Sequence, residues 1–132
     1  MKTEYPIIVG VKDIDDLDHL NNSRSIVYLQ HARTNWYENL GLPVEEMMNR
    51  NVGTVVVKLE VNYFKEARLN ERLTVHTSPL RIGNKSFVLK QVISNEEGKI
   101  ITESTVTLVT VDLITRKSIL VVEEIVSKFE NY

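Results

Sequence analysis

Asp13-Ile14-Asp15-Asp16-Leu17-Asp18-His19-Leu20-Asn21-Asn22 is the stretch around which this chain is organised, and an amphipathic run from Ser23 to Leu40 follows it without a break. Four carboxylates, a histidine and two carboxamides are more polar functionality than a connecting loop needs. They stand where a helix should begin, and Asn21, Asn22 and Ser23 are each good N-caps, because a side-chain oxygen can take an orphan N–H of the first turn. The first backbone N–H groups of a helix have no intrahelical acceptor and carry a partial positive charge, so this end can hold an anion or an oxygen becoming one. Read for composition alone, the stretch is a solvated acidic loop that caps a helix.

Downstream, steps of 100° per residue put Ile26, Tyr28, Leu29, Ala32, Trp36, Tyr37 and Leu40 on one broad face, with Gln30, His31, Thr34, Asn35 and Glu38 opposite. Arg33 projects from within the apolar face, where an unpaired guanidinium is costly, so a carboxylate partner is expected from Asp13, Asp16 or Glu60. Gly41 ends the helix, and Pro43 opens a short second helical piece through Met48. Upstream, Tyr5 to Lys12 is apolar and β-branched and reads as a first strand.

From Val55 the period changes to two. Val55, Val57, Leu59, Val61 and Tyr63 alternate with Val56, Lys58, Glu60, Asn62 and Phe64, which predicts a strand with one strongly apolar face. Arg72 to Arg81, Lys85 to Ser94 and Lys99 to Val111 are further strands. Their links, Ile82-Gly83-Asn84 and Asn95-Glu96-Glu97-Gly98, have hairpin composition, so these three form an antiparallel meander. Ser118 to Val122 is expected as a short sixth strand and Glu123 to Phe129 as a terminal helix. The order predicts an α+β fold, one long helix wrapped by an antiparallel sheet, in a single domain over residues 1–132.

Sixteen basic and eighteen acidic side chains nearly cancel, and no Lys/Arg block stands out, so nucleic acid is not an expected partner. The chain has no cysteine, which removes disulfides and thiolate chemistry and fits a reducing compartment. The N-terminus lacks the apolar core of a signal peptide, and no run approaches the ~20 apolar residues of a membrane span, so a cytoplasmic protein without membrane contact is expected. The three histidines, His19, His31 and His76, form no metal-ligand pair by spacing, and the acidic stretch lacks the Gly and Glu of a calcium loop; no metal site is expected.

The pattern Asp13-x-Asp15-x-x-Asp18-His19-x-Asn21-Asn22, followed by a helix carrying His31-Ala32-Arg33, resembles the signature of hot-dog-fold acyl-CoA thioesterases of the 4-hydroxybenzoyl-CoA thioesterase type. The resemblance extends to Val61-Asn62-Tyr63-Phe64-Lys65-Glu66-Ala67, to Asn70-Glu71-Arg72-Leu73-Thr74-Val75 and to Val109-Thr110-Val111-Asp112, and so covers nearly the whole chain. It implies a central helix in a curved antiparallel sheet of five to six strands, and hydrolysis of a thioester to free acid and coenzyme A without a cofactor. Asp15 matches the family's catalytic aspartate, acting as nucleophile or as general base on a water. Backbone N–H groups around Asn22 and Ser23 are the implied donors to the carbonyl oxygen. His19 matches a position that contributes to catalysis in some branches, and Asn21 would orient it or the water. Arg81, Lys85 and Lys90 flank a hairpin turn and are the candidates for the phosphates of coenzyme A.

The family's assembly implies a homodimer or a dimer of dimers with acyl-CoA between subunits. The chain departs from the pattern at Asp18, where Gly usually precedes His, at Ser25, where Tyr is usual, and at Glu66, where Pro is usual. Hot-dog folds also host non-catalytic acyl-CoA or acyl-carrier-protein binding modules and acyl-carrier-protein thioesterases, which are the alternatives.

Overall fold

The computed structural model describes residues 1–129. Strand β1 (Thr3–Ile8) leads through a 3-10 turn (Val11–Asp13) into the long helix α1 (Asn22–Asn39), the short helix α2 (Val44–Asn49) and strand β2 (Val52–Tyr63). Strands β3 (Arg72–Ile82), β4 (Ser86–Asn95) and β5 (Ile100–Asp112) follow, and helix α3 (Glu123–Phe129) comes last. The five strands form one antiparallel sheet in the order β1-β3-β4-β5-β2. The meander is therefore as expected, while α1 and α2 carry the chain from one edge of the sheet to the other.

Three elements differ from the reading of the sequence. The first strand begins at Thr3 and stops at Ile8, because the Gly10 N–H donates to Asp13 Oδ2 and turns the chain. No sixth strand forms among the described residues: Ser118 makes a single bridge to Val111, and Ile119 and Val121 donate to Thr110 and Asn84 without building a ladder. In β2 the alternation is interrupted by a bulge between Val56 and Lys58. Upstream of it the inward positions are the even ones, with Val56 opposite the buried Leu108; downstream they are odd, with Leu59 opposite the buried Val106.

Helix α1 buries Tyr28, Leu29, Ala32, Trp36, Tyr37 and Leu40 as its periodicity predicts, and Ile26 alone of that face is exposed. The core has two apolar parts. Trp36 stacks on Phe87 and meets Tyr37 and Phe129 edge-on at the α3 end, and Leu29 and Ala32 join Val9, Leu73, Val75 and Ile93 at the other. Polar groups cross the sheet between them. The buried Gln91 donates through Nε2 to Leu29 O and Thr77 Oγ1, and its backbone carbonyl accepts from Ser104 Oγ.

Arg33 joins this polar layer instead of finding a carboxylate. Its Nη1 donates to Gln91 Oε1 at 3.1 Å. The three expected partners are elsewhere: Asp13 is bound by Arg24 and Tyr28, Glu60 pairs with Lys58, and Asp16 is exposed in the loop.

Candidate active site

Two aspartates two positions apart play different parts in the loop before α1. Asp13 is buried, and its carboxylate accepts from Arg24 Nε at 2.7 Å, Tyr28 Oη at 2.7 Å and the Gly10 N–H at 3.0 Å. Burial alone would raise this carboxyl, but the bonds from Tyr28, Gly10 and Arg24 outweigh it and hold the group below the usual carboxylate range. Burial and the bond to Asp13 push the Tyr28 phenol upward in turn. Asp13 is thereby locked as a brace between strand end, loop and helix.

Asp15 turns the other way. Its Oδ1 accepts the backbone N–H groups of Leu17 (2.9 Å) and His19 (3.1 Å), which fixes the carboxylate, while no hydrogen bond to Oδ2 occurs among the described residues. The turn is closed by Asp18 N–H to Asp15 O and by Asp15 N–H to His19 O. Asp18 occupies the left-handed region at φ 61°, a conformation glycine adopts freely and aspartate tolerates. The Gly-to-Asp departure therefore keeps the turn, and the Asp18 side chain lies outside the cleft.

Asn21 is the helix cap. Its Oδ1 accepts both the backbone N–H (2.9 Å) and the hydroxyl (2.7 Å) of Ser23, so Asn21 and Ser23 are committed to each other. Among the described residues the Asn22 N–H has no acceptor, and it stands at the first position of the helix.

A cleft of about 320 Å³ brings Asp15, His19 and Asn22 together with Ser25, the end of β2 at Tyr63 and Phe64, the segment Lys65 to Ala67, and Ile101 and Thr102 of β5. His19 Nε2 lies 2.7 Å from Glu66 Oε2, and the other Glu66 oxygen lies 3.0 Å from Arg68 Nη2. Asn22 O accepts from Ser25 Oγ at 2.7 Å, with Tyr63 Oη at 3.4 Å. Asn21 and Ser23 do not line this cleft, and neither do Arg81, Lys85 and Lys90. The β3–β4 hairpin that carries Arg81 and Lys85 stands beside Val109 and Thr110, at the other end of β5 from Thr102, roughly 25 Å along a strand rising 3.3 Å per residue. Lys90 lies between the buried Leu89 and Gln91, so it faces outward, 3.5 Å from Glu103.

Leu20, the stretch from Tyr63 to Ala67, Ile101 and Thr102 also line the cleft and are not among the site residues the sequence points to. The stretch was conspicuous, but nothing in the spacing from 19 to 66 connects the histidine to its acid.

A family model described as the thioesterase-like superfamily matches residues 9–129. The chain belongs to this superfamily. The long-chain acyl-CoA thioesterase FadM of Escherichia coli K12 is 33% identical over 118 residues, 89% of either chain. The acyl-CoA thioester hydrolase YbgC of Escherichia coli O6:H1 is 27% identical over 126 residues, 96% of this chain and 94% of that one. Among solved structures, the hypothetical protein SAV2348 of Staphylococcus aureus in complex with CoA superposes with a TM-score of 0.92, covering 100% of this chain and 84% of that one, at 17% identity. At that identity the superposition speaks for the superfamily's fold alone. The element order and curved antiparallel sheet agree with the hot-dog arrangement.

Proposed function

We propose that this protein hydrolyses acyl-CoA thioesters in the cleft at the start of α1. The observation that carries the reading is one carboxylate oxygen, Asp15 Oδ2, in the same cleft as Asn22, whose N–H opens the helix; among the described residues neither that oxygen nor that N–H has a hydrogen-bond partner. Acyl transfer needs this pair: a base or nucleophile, and a donor for the oxygen on which charge develops. As general base, Asp15 takes a proton from a water whose oxygen adds to the thioester carbonyl. The Asn22 N–H and the positive end of α1 hold the oxyanion, the C–S bond breaks, and the departing thiolate takes up the proton as free coenzyme A. As nucleophile, Asp15 Oδ2 attacks the carbonyl itself, thiolate leaves, and water then cleaves the mixed anhydride. The same carboxylate is indispensable in both.

His19, held by Glu66 at 2.7 Å, stands beside Asp15 to orient the water or donate to the leaving group. Asn21 and Ser23 act through the cap that fixes the helix end. Lys65 is the cation on this chain's own rim for the phosphates of coenzyme A, and Arg81, Lys85 and Lys90, which do not line the cleft, would serve that purpose from a second copy.

The active unit is a homodimer joined at the β2 edges. Tyr28 on the apolar face of α1 is buried against Asp13 within its own chain, so the contact between copies falls to β2. It is the last strand of the sheet, so one side of its backbone is unpaired, and Val55, Val56 and Val57 are 48%, 43% and 58% exposed. A long apolar edge of this kind is a template for pairing, here with its own copy about a two-fold axis.

A thiol-release assay over short-chain, long-chain and aromatic acyl-CoAs tests the reading. Turnover of at least one class is the expected result; a panel that binds without thiol release would make the cleft a holding site for acyl-CoA and sink the hydrolase.

A further inference from the structure

Arg33 is only 8% exposed, and its single hydrogen bond among the described residues goes to a neutral carboxamide, Gln91 Oε1. The orientation of that carboxamide is fixed, since its nitrogen donates to both Leu29 O and Thr77 Oγ1, so the guanidinium is held in place. A guanidinium has five N–H donors. Those not used on Gln91 belong to a side chain that lines a second cavity, of about 330 Å³, between α1, α2 and β2. No carboxylate lines this cavity. Its walls are apolar around Met47, Met48, Val52 and Leu113, with the Tyr37 hydroxyl and Thr54 Oγ1, 2.9 Å apart, at the polar side.

A buried cation without a counter-ion is a costly arrangement that an anion relieves, and the planar guanidinium fork matches a carboxylate. The rest of the wall asks for hydrocarbon, and the volume falls in the range of small-molecule sites. We propose that this cavity binds an amphiphilic carboxylic acid, with the carboxylate on Arg33 and the aliphatic tail along Met47, Met48 and Val52. Two sources share this chemistry: a free fatty acid, or an acyl group bearing a carboxylate at its far end. The second source rests on the hydrolase reading and the first does not.

Octanoate is the probe, titrated into the whole protein by calorimetry, with octan-1-ol as the uncharged analogue. Saturable octanoate binding is expected, with octan-1-ol failing to compete. Arg33→Met should weaken it by roughly ten- to hundredfold, the loss of a charge-assisted hydrogen bond. Arg33→Lys, which keeps the charge, should weaken it less and serves if the methionine variant does not fold. Asp15→Asn should bind octanoate as wild type does. No saturable binding, equal competition by octan-1-ol, wild-type binding in both Arg33 variants, or loss of binding in Asp15→Asn would each overturn the proposal. A lower KM for octanedioyl-CoA than for octanoyl-CoA that shrinks in Arg33→Lys and vanishes in Arg33→Met assigns the carboxylate to the acyl group. Octanoate binding without that difference assigns it to the free acid. Octanoate binding in a protein that releases no thiol would sink the hydrolase and leave this site standing.

Discussion

Asp13 and Asp15 look alike in the sequence, and their neighbours make them different. Asp13 meets a tyrosine hydroxyl, an arginine and a backbone N–H on two oxygens, whereas Asp15 spends one oxygen on its own turn and leaves the other to the cleft. Replacing Asp13 with Asn should cost about 1–3 kcal/mol in a denaturant titration, since partners of a buried charge lose their acceptor, while turnover stays near wild type. The Asp13 carboxyl is held low in the folded state, so its stabilisation is fully present above the unfolded pKa of about 3.9 and is lost as pH falls through the folded value. Melting temperature should therefore fall on acidification through that window, and fall less in Asp13→Asn; parallel curves would show that Asp13 contributes nothing there. Lys65→Ala should raise KM for acyl-CoA and leave kcat unchanged, the signature of a lost ground-state contact. An unaltered KM would remove Lys65 from the phosphate path. What the residue pattern made legible was the Asp15 loop; the His19–Glu66 contact was not, because it depends on β2 returning its C-terminal end to the start of α1.

Elements were legible where local chemistry decides them and illegible where a single residue shifts the register. The α1 face follows from its period, and its cap was narrowed to three residues that the structure resolves to Asn21. Asn21→Ala should cost about 1 kcal/mol in unfolding free energy and also lower kcat, because the first turn that carries the Asn22 N–H is no longer pinned. A stability loss with unchanged kcat would detach that N–H from the chemistry. In β2 the alternation of five apolar residues predicted one continuous face, yet one bulge moves the inward positions from Val52, Thr54 and Val56 to Leu59, Val61 and Tyr63. No composition signal marks a bulge within a run of valines, and the consequence is large, since it brings Tyr63 into the cleft. Arg33 was recognised as an anomaly for the right reason, but its partner sits on β4, beyond any spacing argument, and is a carboxamide.

At the scale of the whole molecule, the long helix and meander were readable, whereas the sheet order was not, because consecutive pairing fails where α1 and α2 carry the chain across to the far edge. That crossing leaves β2 exposed, which is where the proposed dimer forms. Val57 is 58% exposed in the single chain, so Val57→Lys should change the unfolding free energy of a monomer by no more than about 0.5 kcal/mol. Across a β2–β2 edge the same change brings two charges together and should shift the mass seen by light scattering from dimer to monomer; an unchanged dimer would move the interface elsewhere. The proposed hydrolysis nevertheless rests on one oxygen atom, Asp15 Oδ2, so turnover and substrate-analogue binding are to be measured together in Asp15→Asn. The carboxamide preserves shape but neither attacks a carbonyl nor takes a proton effectively, so kcat should fall by roughly 100-fold or more while the Kd for a non-hydrolysable acyl-CoA analogue stays at its wild-type value. Wild-type turnover in that variant would contradict the account.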